Sequence, residues 1–215
     1  MGKSEIKNIG ILGGTFDPVH FGHLRAALAV QQDFALDEVR LIPCHYPAHK
    51  KEPEVSSLHR IEMLYKATKA EKRLLVDVRE CMRTGPSYMI ETLKSLRTEY
   101  PEERLFLLLG ADAYNKLDAW KGWRNIFGIA HIIVITRPGW EITPSSLVKK
   151  FCKKGMVSSF SEMCKVKTGR VLTYSFIPLM IASSEIRKQL KESRSVRYLM
   201  PNKVIKYIEK HELYN

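Results

Sequence analysis

An α/β fold with a doubly wound, mostly parallel sheet is predicted by three features of the chain. Short apolar runs alternate with helical patterns through the first 136 residues, the order that βαβ units take. Several of those runs are continuously apolar, as strands covered by helices on both faces must be. Gly and Pro punctuate their ends.

The elements follow in order. Lys7-Asn8-Ile9-Gly10-Ile11-Leu12 reads as a buried strand stopped by a turn at Gly13-Gly14. Residues 21–34 are rich in Ala, Leu and Gln and read as a helix. Glu38 to Pro43 is a second strand. The prolines of 43–54 predict an exposed loop. Ser57 to Thr68 has a helical pattern, capped by Ser56 or Ser57. Leu74 to Val78 is a third strand. Ser87 to Glu99 is a helix between Pro86 and Pro101. Leu105 to Leu109 and His131 to Thr136 are the fourth and fifth strands, closed by Gly110 and by Arg137-Pro138-Gly139. Residues 140–170, with many Lys and Ser, carry no clear pattern. Tyr174 to Ile177 reads as a last short strand. Ser183 to Lys191 and Pro201 to His211 read as closing helices, the second with Pro in its first turn. One domain is expected over residues 1–215, with a small helical part from about 183 onwards.

Composition narrows the class. Hydrophobic residues make up 45% of the 215, enough for a real core, and 27% charged residues argue against disorder. A net charge of +12 asks for an anionic partner but does not choose among nucleic acid, an anionic membrane and phosphorylated metabolites. No apolar run approaches the roughly 18 residues of a membrane span, and no secretory leader is read at the N-terminus. Ile6 stands where a myristoylation pattern wants Ser or Thr. Cys44, Cys81, Cys152 and Cys164 form no Cys-x-x-Cys pair and are expected as free thiols in a reducing cytoplasm.

The segment that carries chemistry is Gly13-Gly14-Thr15-Phe16-Asp17-Pro18-Val19-His20-Phe21-Gly22-His23. It follows the first strand and opens a helix. Ligands of parallel sheets bind beyond the carboxyl ends of strands, and helix N-termini offer free N–H groups to phosphate. Gly13 and Gly14 let backbone approach a ligand closely. His20 and His23, three apart, face the same way. Gly22 is expected to leave space between them for a phosphate oxygen. The bland alternative is a capped helix with two incidental histidines. A zinc pair lacks a further ligand at suitable spacing. Near the other end, Ile181-Ala182-Ser183-Ser184-Glu185-Ile186-Arg187 sets a hydroxyl, a helix start and a guanidinium fork together, with Ser183 expected as the N-cap. That combination suits β- and γ-phosphates.

The first segment resembles the signature of the nucleotidyltransferase superfamily with the His-x-Gly-His motif. The second resembles that superfamily's Ile-Ser-Ser-Thr-x-Ile-Arg, with Ala182 and Ser184 as departures. Three further segments resemble the nicotinate-mononucleotide adenylyltransferases. They are Pro43-Cys44-His45-Tyr46-Pro47-Ala48-His49-Lys50, the stretch from Arg79-Glu80 through Gly85-Pro86-Ser87-Tyr88 to Thr92-Leu93, and Gly110-Ala111-Asp112 with Trp120 and Arg137-Pro138-Gly139. Met89 departs from the family's Thr.

The resemblance implies direct attack of the 5′-phosphate of nicotinate mononucleotide on the α-phosphorus of ATP, with Mg2+ shielding the phosphates and held mainly by them. It implies that His20 and His23 meet the reacting phosphates, and that Ser183, Ser184 and Arg187 hold the β- and γ-phosphates. Gly13, Gly14, Thr15, Phe16, Gly110, Asp112 and Ile181 would complete the ATP site. Thr15, His49, Lys50, Ser87, Tyr88, Met89, Trp120 and Arg137 would hold the mononucleotide, with Trp120 stacked on the pyridine ring. A plain surface or core aromatic is the competing reading of Trp120. Pantetheine-phosphate adenylyltransferase, with the same end motifs, is the nearest rival. A basic RNA-binding protein is the rival of another class, weakened because Arg and Lys are scattered without interleaved aromatics. Neither nucleic acid nor membrane is expected as a partner, and oligomeric state is not read from the sequence.

Overall fold

The computed structural model describes residues 6–47, 52–136, 141–177 and 179–215. The chain runs β1 (Asn8–Gly14), α1 (Phe21–Asp33), β2 (Glu38–Pro43), β3 (Tyr46–Pro47), α2 (Ser57–Thr68), β4 (Leu74–Val76), β5 (Pro86–Ser87), α3 (Met89–Glu99), β6 (Arg104–Gly110) and α4 (Ala111–Asn115). A 3₁₀ turn at Leu117–Ala119 follows, then α5 (Trp123–Ile126), β7 (His131–Thr136), α6 (Ser146–Cys152), β8 (Met156–Val157), α7 (Phe160–Met163), β9 (Val171–Ser175), α8 (Ser183–Lys191) and α9 (Asn202–Lys210).

Seven strands form one sheet in the order β4-β2-β1-β6-β7-β9-β8, and every pairing in it is parallel. The doubly wound α/β prediction therefore holds. The winding reverses between β1 and β6, and such a switch point opens a crevice at the strand carboxyl ends. A separate pair, β3 with β5, is only two residues long on each side.

Alternation along the strands sends side chains to two cores. Ile9 and Ile11 of β1, Leu105 and Leu107 of β6 and Ile132 of β7 face a core with Leu93, Leu96, Trp123, Ile126 and Val148. Phe106, Leu108 and Ile133 face the other, with Ala27, Val30, Met63, Leu64, Ile186, Val204 and Ile208. Most of these side chains are completely buried, and each stabilises the fold by about 1.5–3 kcal/mol relative to exposure. Helices α8 and α9 thus pack on the same core as α1 and α2.

Several boundaries differ from expectation. Gly13 and Gly14 belong to β1, because they pair with Ile42 and Pro43 of β2 instead of turning away. The third strand stops at Val76, and the helix expected from Ser87 starts at Met89 because Ser87 is taken into the β3–β5 pair. Within the expected loop of 43–54, Tyr46–Pro47 is a strand. Residues 140–170 hold α6, β8 and α7, fixed by Val148, Cys152 and Met163 entering the cores. Ser56 caps α2 as expected, accepting from the His59 N–H. Pro201 is the N-cap residue of α9 and lies just outside its first turn.

His131 is wholly buried in β7. Its Nδ1 accepts the Arg170 N–H at 3.1 Å and its Nε2 stands 3.2 Å from the Val166 carbonyl. Burial lowers its pKa to about 4, so it is a neutral structural histidine. Among the described residues no helix is long and apolar enough to cross a membrane.

Candidate active site

The switch-point crevice is floored by the end of β1 and the turn that follows it. Phe16 takes φ of +52°, a left-handed conformation that disfavours a bulky residue. Its ring is buried, packed edge-on against His23 with centroids 5.0 Å apart, and this packing holds the turn. His20 is the N-cap residue of α1, and its ring stacks on His23 at 3.7 Å. His23 Nδ1 accepts the His20 backbone N–H at 3.3 Å. The two imidazoles thus form one unit at the positive end of a 13-residue helix.

Burial lowers the His20 pKa to about 4, so the ring is neutral at pH 7. Its Nδ1 is buried and without a hydrogen-bond partner among the described residues. An unpaired buried polar atom costs about 1–3 kcal/mol, a debt that an incoming ligand can relieve. Gly22 explains how the ring fits. A Cβ there would stand 2.9 Å from His20 Nδ1 and 3.4 Å from the Leu179 carbonyl. The space at Gly22 is therefore taken by the His20 ring and not left for a phosphate oxygen, which corrects the expectation.

The two end motifs meet on this turn. Ser183 Oγ donates to the Pro18 carbonyl at 2.9 Å, and Arg187 Nη1 donates to the Asp17 carbonyl at 2.7 Å. The buried Asp17 carboxylate accepts the Tyr214 hydroxyl at 2.7 Å and the Glu54 N–H at 2.9 Å. Ser183 was expected to cap α8, but the N-cap residue is Ala182, because the Ser183 hydroxyl is spent on Pro18. Ser184 is exposed in the first turn, and Ile181 is half-buried just before it. Arg187 also pairs with Glu54 at 2.8 Å.

Beside the turn lies an open cleft of about 190 Å³. Gly13, Gly14, Thr15, Ser87, Tyr88, Met89 and Trp120 line it, together with Cys44, Pro47, Glu80 and Lys121. Five residues expected around a mononucleotide (Thr15, Ser87, Tyr88, Met89 and Trp120) are thus brought together. Trp120 stands in the cleft wall, partly buried against the core, while Trp123, one turn on, is buried in the core against Phe127 and Phe151. Gly110 and Asp112 lie outside this lining, at the end of β6 and the start of α4, with Asp112 folded back so that a Cβ on Gly110 would meet its Oδ1 at 2.7 Å. His49, Lys50 and Arg137 lie outside the described residues.

Three contributors were not singled out as site residues from the sequence. Arg60 of α2 is buried and donates to the carbonyls of Thr15, Cys44 and His45 at 2.8, 2.7 and 3.2 Å. Its signal was an Arg on the same helical face as Met63, Leu64 and Ala67. Glu80, also buried, accepts from Thr92 Oγ1 at 2.5 Å, and burial raises its pKa. Lys121 Nζ sits 4.4 Å over the Tyr88 ring, at the cleft.

A switch-point crevice that joins a paired-histidine helix start to a second helix start can present donors to a phosphate chain, and the cleft beside it is lined by the rings of Tyr88 and Trp120. The cytidylyltransferase-like family model matches residues 11–189, most of the chain. The chain belongs to the cytidylyltransferase-like family. A protein from Marinomonas sp. (strain MWYL1) described as "Probable nicotinate-nucleotide adenylyltransferase" is 42% identical over 211 residues, covering 98% of this chain and 96% of its own. One from Methylococcus capsulatus with the same description is 42% identical over 207 residues, covering 96% and 99%. The fold is shared with a solved structure of Plasmodium falciparum nicotinic acid mononucleotide adenylyltransferase complexed with NaAD. The TM-score is 0.75 at 20% identity, over 97% of each chain.

Proposed function

We propose that this member of the family transfers the adenylyl group of ATP to nicotinate mononucleotide, giving nicotinate adenine dinucleotide and pyrophosphate in the synthesis of NAD. The observation that carries the reading is the join of the His20–His23 helix start to a cleft walled by Tyr88 and Trp120. The full-length relatives at 42% identity carry that activity in their descriptions.

In the reaction, a 5′-phosphate oxygen of the mononucleotide bonds to the α-phosphorus of ATP, and the bond from that phosphorus to the bridging oxygen of pyrophosphate breaks. The chain's own part is placement and charge stabilisation. His20 and His23 donate to the α-phosphate where charge develops, and the arriving anion offsets the burial that keeps His20 neutral. Arg187, the hydroxyls of Ser183 and Ser184 and the α8 start hold the β- and γ-phosphates. Gly110 and Asp112 take the adenosine ribose. Trp120 covers the pyridine ring, with Ser87, Tyr88 and Met89 beside it. His49, Lys50 and Arg137 are assigned to the mononucleotide from the motifs alone.

Magnesium, bound chiefly by nucleotide oxygens and water, would neutralise the phosphates. Among the described residues no three His, Cys, Asp or Glu side chains converge on a metal position. We place the enzyme in the cytoplasm, where ATP is made and where its four free cysteines stay reduced.

The test is pyrophosphate release from ATP and magnesium with a panel of acceptors. Nicotinate mononucleotide should be used best. Preference for phosphopantetheine would turn the assignment to the rival adenylyltransferase. An RNA-dependent mobility shift without pyrophosphate release with any acceptor would abandon it.

A further inference from the structure

Glu54, in the segment leading to α2, makes a contact that the reaction does not use. Its carboxylate is divided between two cations one turn apart on α8. Oε1 takes Arg187 Nε at 2.8 Å and Oε2 takes Lys191 Nζ at 2.8 Å. Residues four apart share a helix face, so the two cations converge on one anion. Arg187 keeps a separate bond from Nη1 to the Asp17 carbonyl, which orients it without Glu54.

Resting on the adenylyl-transfer reading, we propose that Lys191 is a further triphosphate-binding residue beside Arg187, and that the Glu54 carboxylate occupies this cation pair until the β- and γ-phosphates of ATP replace it. A carboxylate and a phosphate offer a guanidinium fork the same pair of acceptors, and the phosphate chain brings more charge. Hydrogen bonds from Lys191 and Arg187 hold the Glu54 carboxyl below the usual range, so at neutral pH it is an anion and a true competitor. The Glu54 side chain is 37% exposed, and ion pairs in such positions are weak enough to exchange. A purely structural Glu54 would hold Arg187 in place for ATP, so the two roles differ in sign.

The experiment is titration calorimetry of the full chain with ATP and magnesium, without acceptor, and separately with adenosine. Glu54→Gln should tighten ATP about two- to fivefold, and Lys191→Met should weaken it by a similar factor. Adenosine, which has no phosphates, should bind all three proteins alike. Unchanged or weaker ATP binding in Glu54→Gln overturns the competition. Lys191→Met with unchanged ATP affinity, or with equal losses for ATP and adenosine, overturns the role of Lys191. A wild type that releases pyrophosphate with nicotinate mononucleotide while Glu54→Gln leaves ATP affinity alone sinks this inference and leaves the adenylyltransferase standing.

Discussion

In the proposed assignment the phosphate end of the site stands on helices, α1 with 13 residues and α8 with nine, locked to each other through Asp17, Pro18 and Tyr214. The pyridine end stands on two-residue strands, a 3₁₀ turn and the first residues of α3. Donors that must meet developing charge gain from a frame that does not reorganise. A pocket that chooses among rings needs only shape and a few polar contacts, which short irregular segments supply and can vary. Arg60 binds the two ends together, since its guanidinium reaches Thr15 on one side and Cys44 and His45 on the other.

The difference predicts where turnover and where affinity will be lost. The largest effect should come from the phosphate end. His20→Ala should lower kcat about a hundredfold or more while ATP binding changes little, because its contact strengthens as charge develops. Single-turnover rates against ATP titrations separate the two. Near-normal turnover in the folded variant would remove His20 from the chemistry and with it the contrast between the ends.

Burial of the same ring can be read without any substrate. The folded pKa of about 4 lies below the unfolded value of 6.5. The unfolded chain therefore binds the extra proton first, so the neutral form's share of stability is present above pH 6.5 and lost as pH falls towards 4. The same holds for His131. Urea unfolding at pH 7 and pH 4 should show the wild type losing about 2–3 kcal/mol more than His20→Ala, which keeps only the His131 share. Equal losses would mean that His20 is hydrated in solution and that the phosphate end is looser than its hydrogen bonds imply.

At the pyridine end the effects should be on KM. Trp120→Ala should raise the KM for the mononucleotide about two- to tenfold, the worth of a stacked ring pair, and leave that for ATP nearly alone. Initial rates with each substrate varied in turn decide it. A parallel rise in both would make Trp120 part of the shared frame.

How much of this was legible in the sequence follows the same division. Apolar runs such as Ile132 to Ile135 and the Gly-Gly-Thr-Phe-Asp-Pro segment announce themselves locally, so the parallel sheet and the paired histidines could be read, though the two glycines extend β1 and the turn begins after them. The short elements α6, β8 and α7 could not. Seven, two and four residues hold too little periodicity, and they exist because Val148, Cys152 and Met163 fill space between distant strands. The sequence set Arg60 on an apolar helix face but not its role, because that role is defined by three carbonyls that the fold brings to the buried guanidinium. Glu54 finds its cations 133 and 137 positions along the chain, a pairing without a local signature.

Lys121 gives the finest test of the comparison, because only the fold placed it in the cleft. Among the described residues the charged ones of the lining are Glu80 and Lys121. Burial raises the Glu80 pKa, and Thr92 Oγ1 donates to its carboxylate. The Lys121 ammonium lies over the face of Tyr88, at the side of the cleft that also holds Met89 and the start of α3. A pyridine carboxylate entering there meets a cation and a helix N-terminus, whereas the amide of nicotinamide mononucleotide brings no charge to either. The wild type should therefore prefer the acid. Because the ammonium is exposed to solvent, Lys121→Met should cut kcat/KM for nicotinate mononucleotide only about two- to fivefold and leave the nicotinamide analogue unchanged. The preference then shrinks without vanishing, the remainder belonging to the α3 start. The measurement is kcat/KM for both mononucleotides at fixed ATP and magnesium, at low and high salt, since a pairing near the surface should fade as salt rises. Equal losses for acid and amide would assign Lys121 to the shared 5′-phosphate. No loss for either would take Lys121 out of the preference.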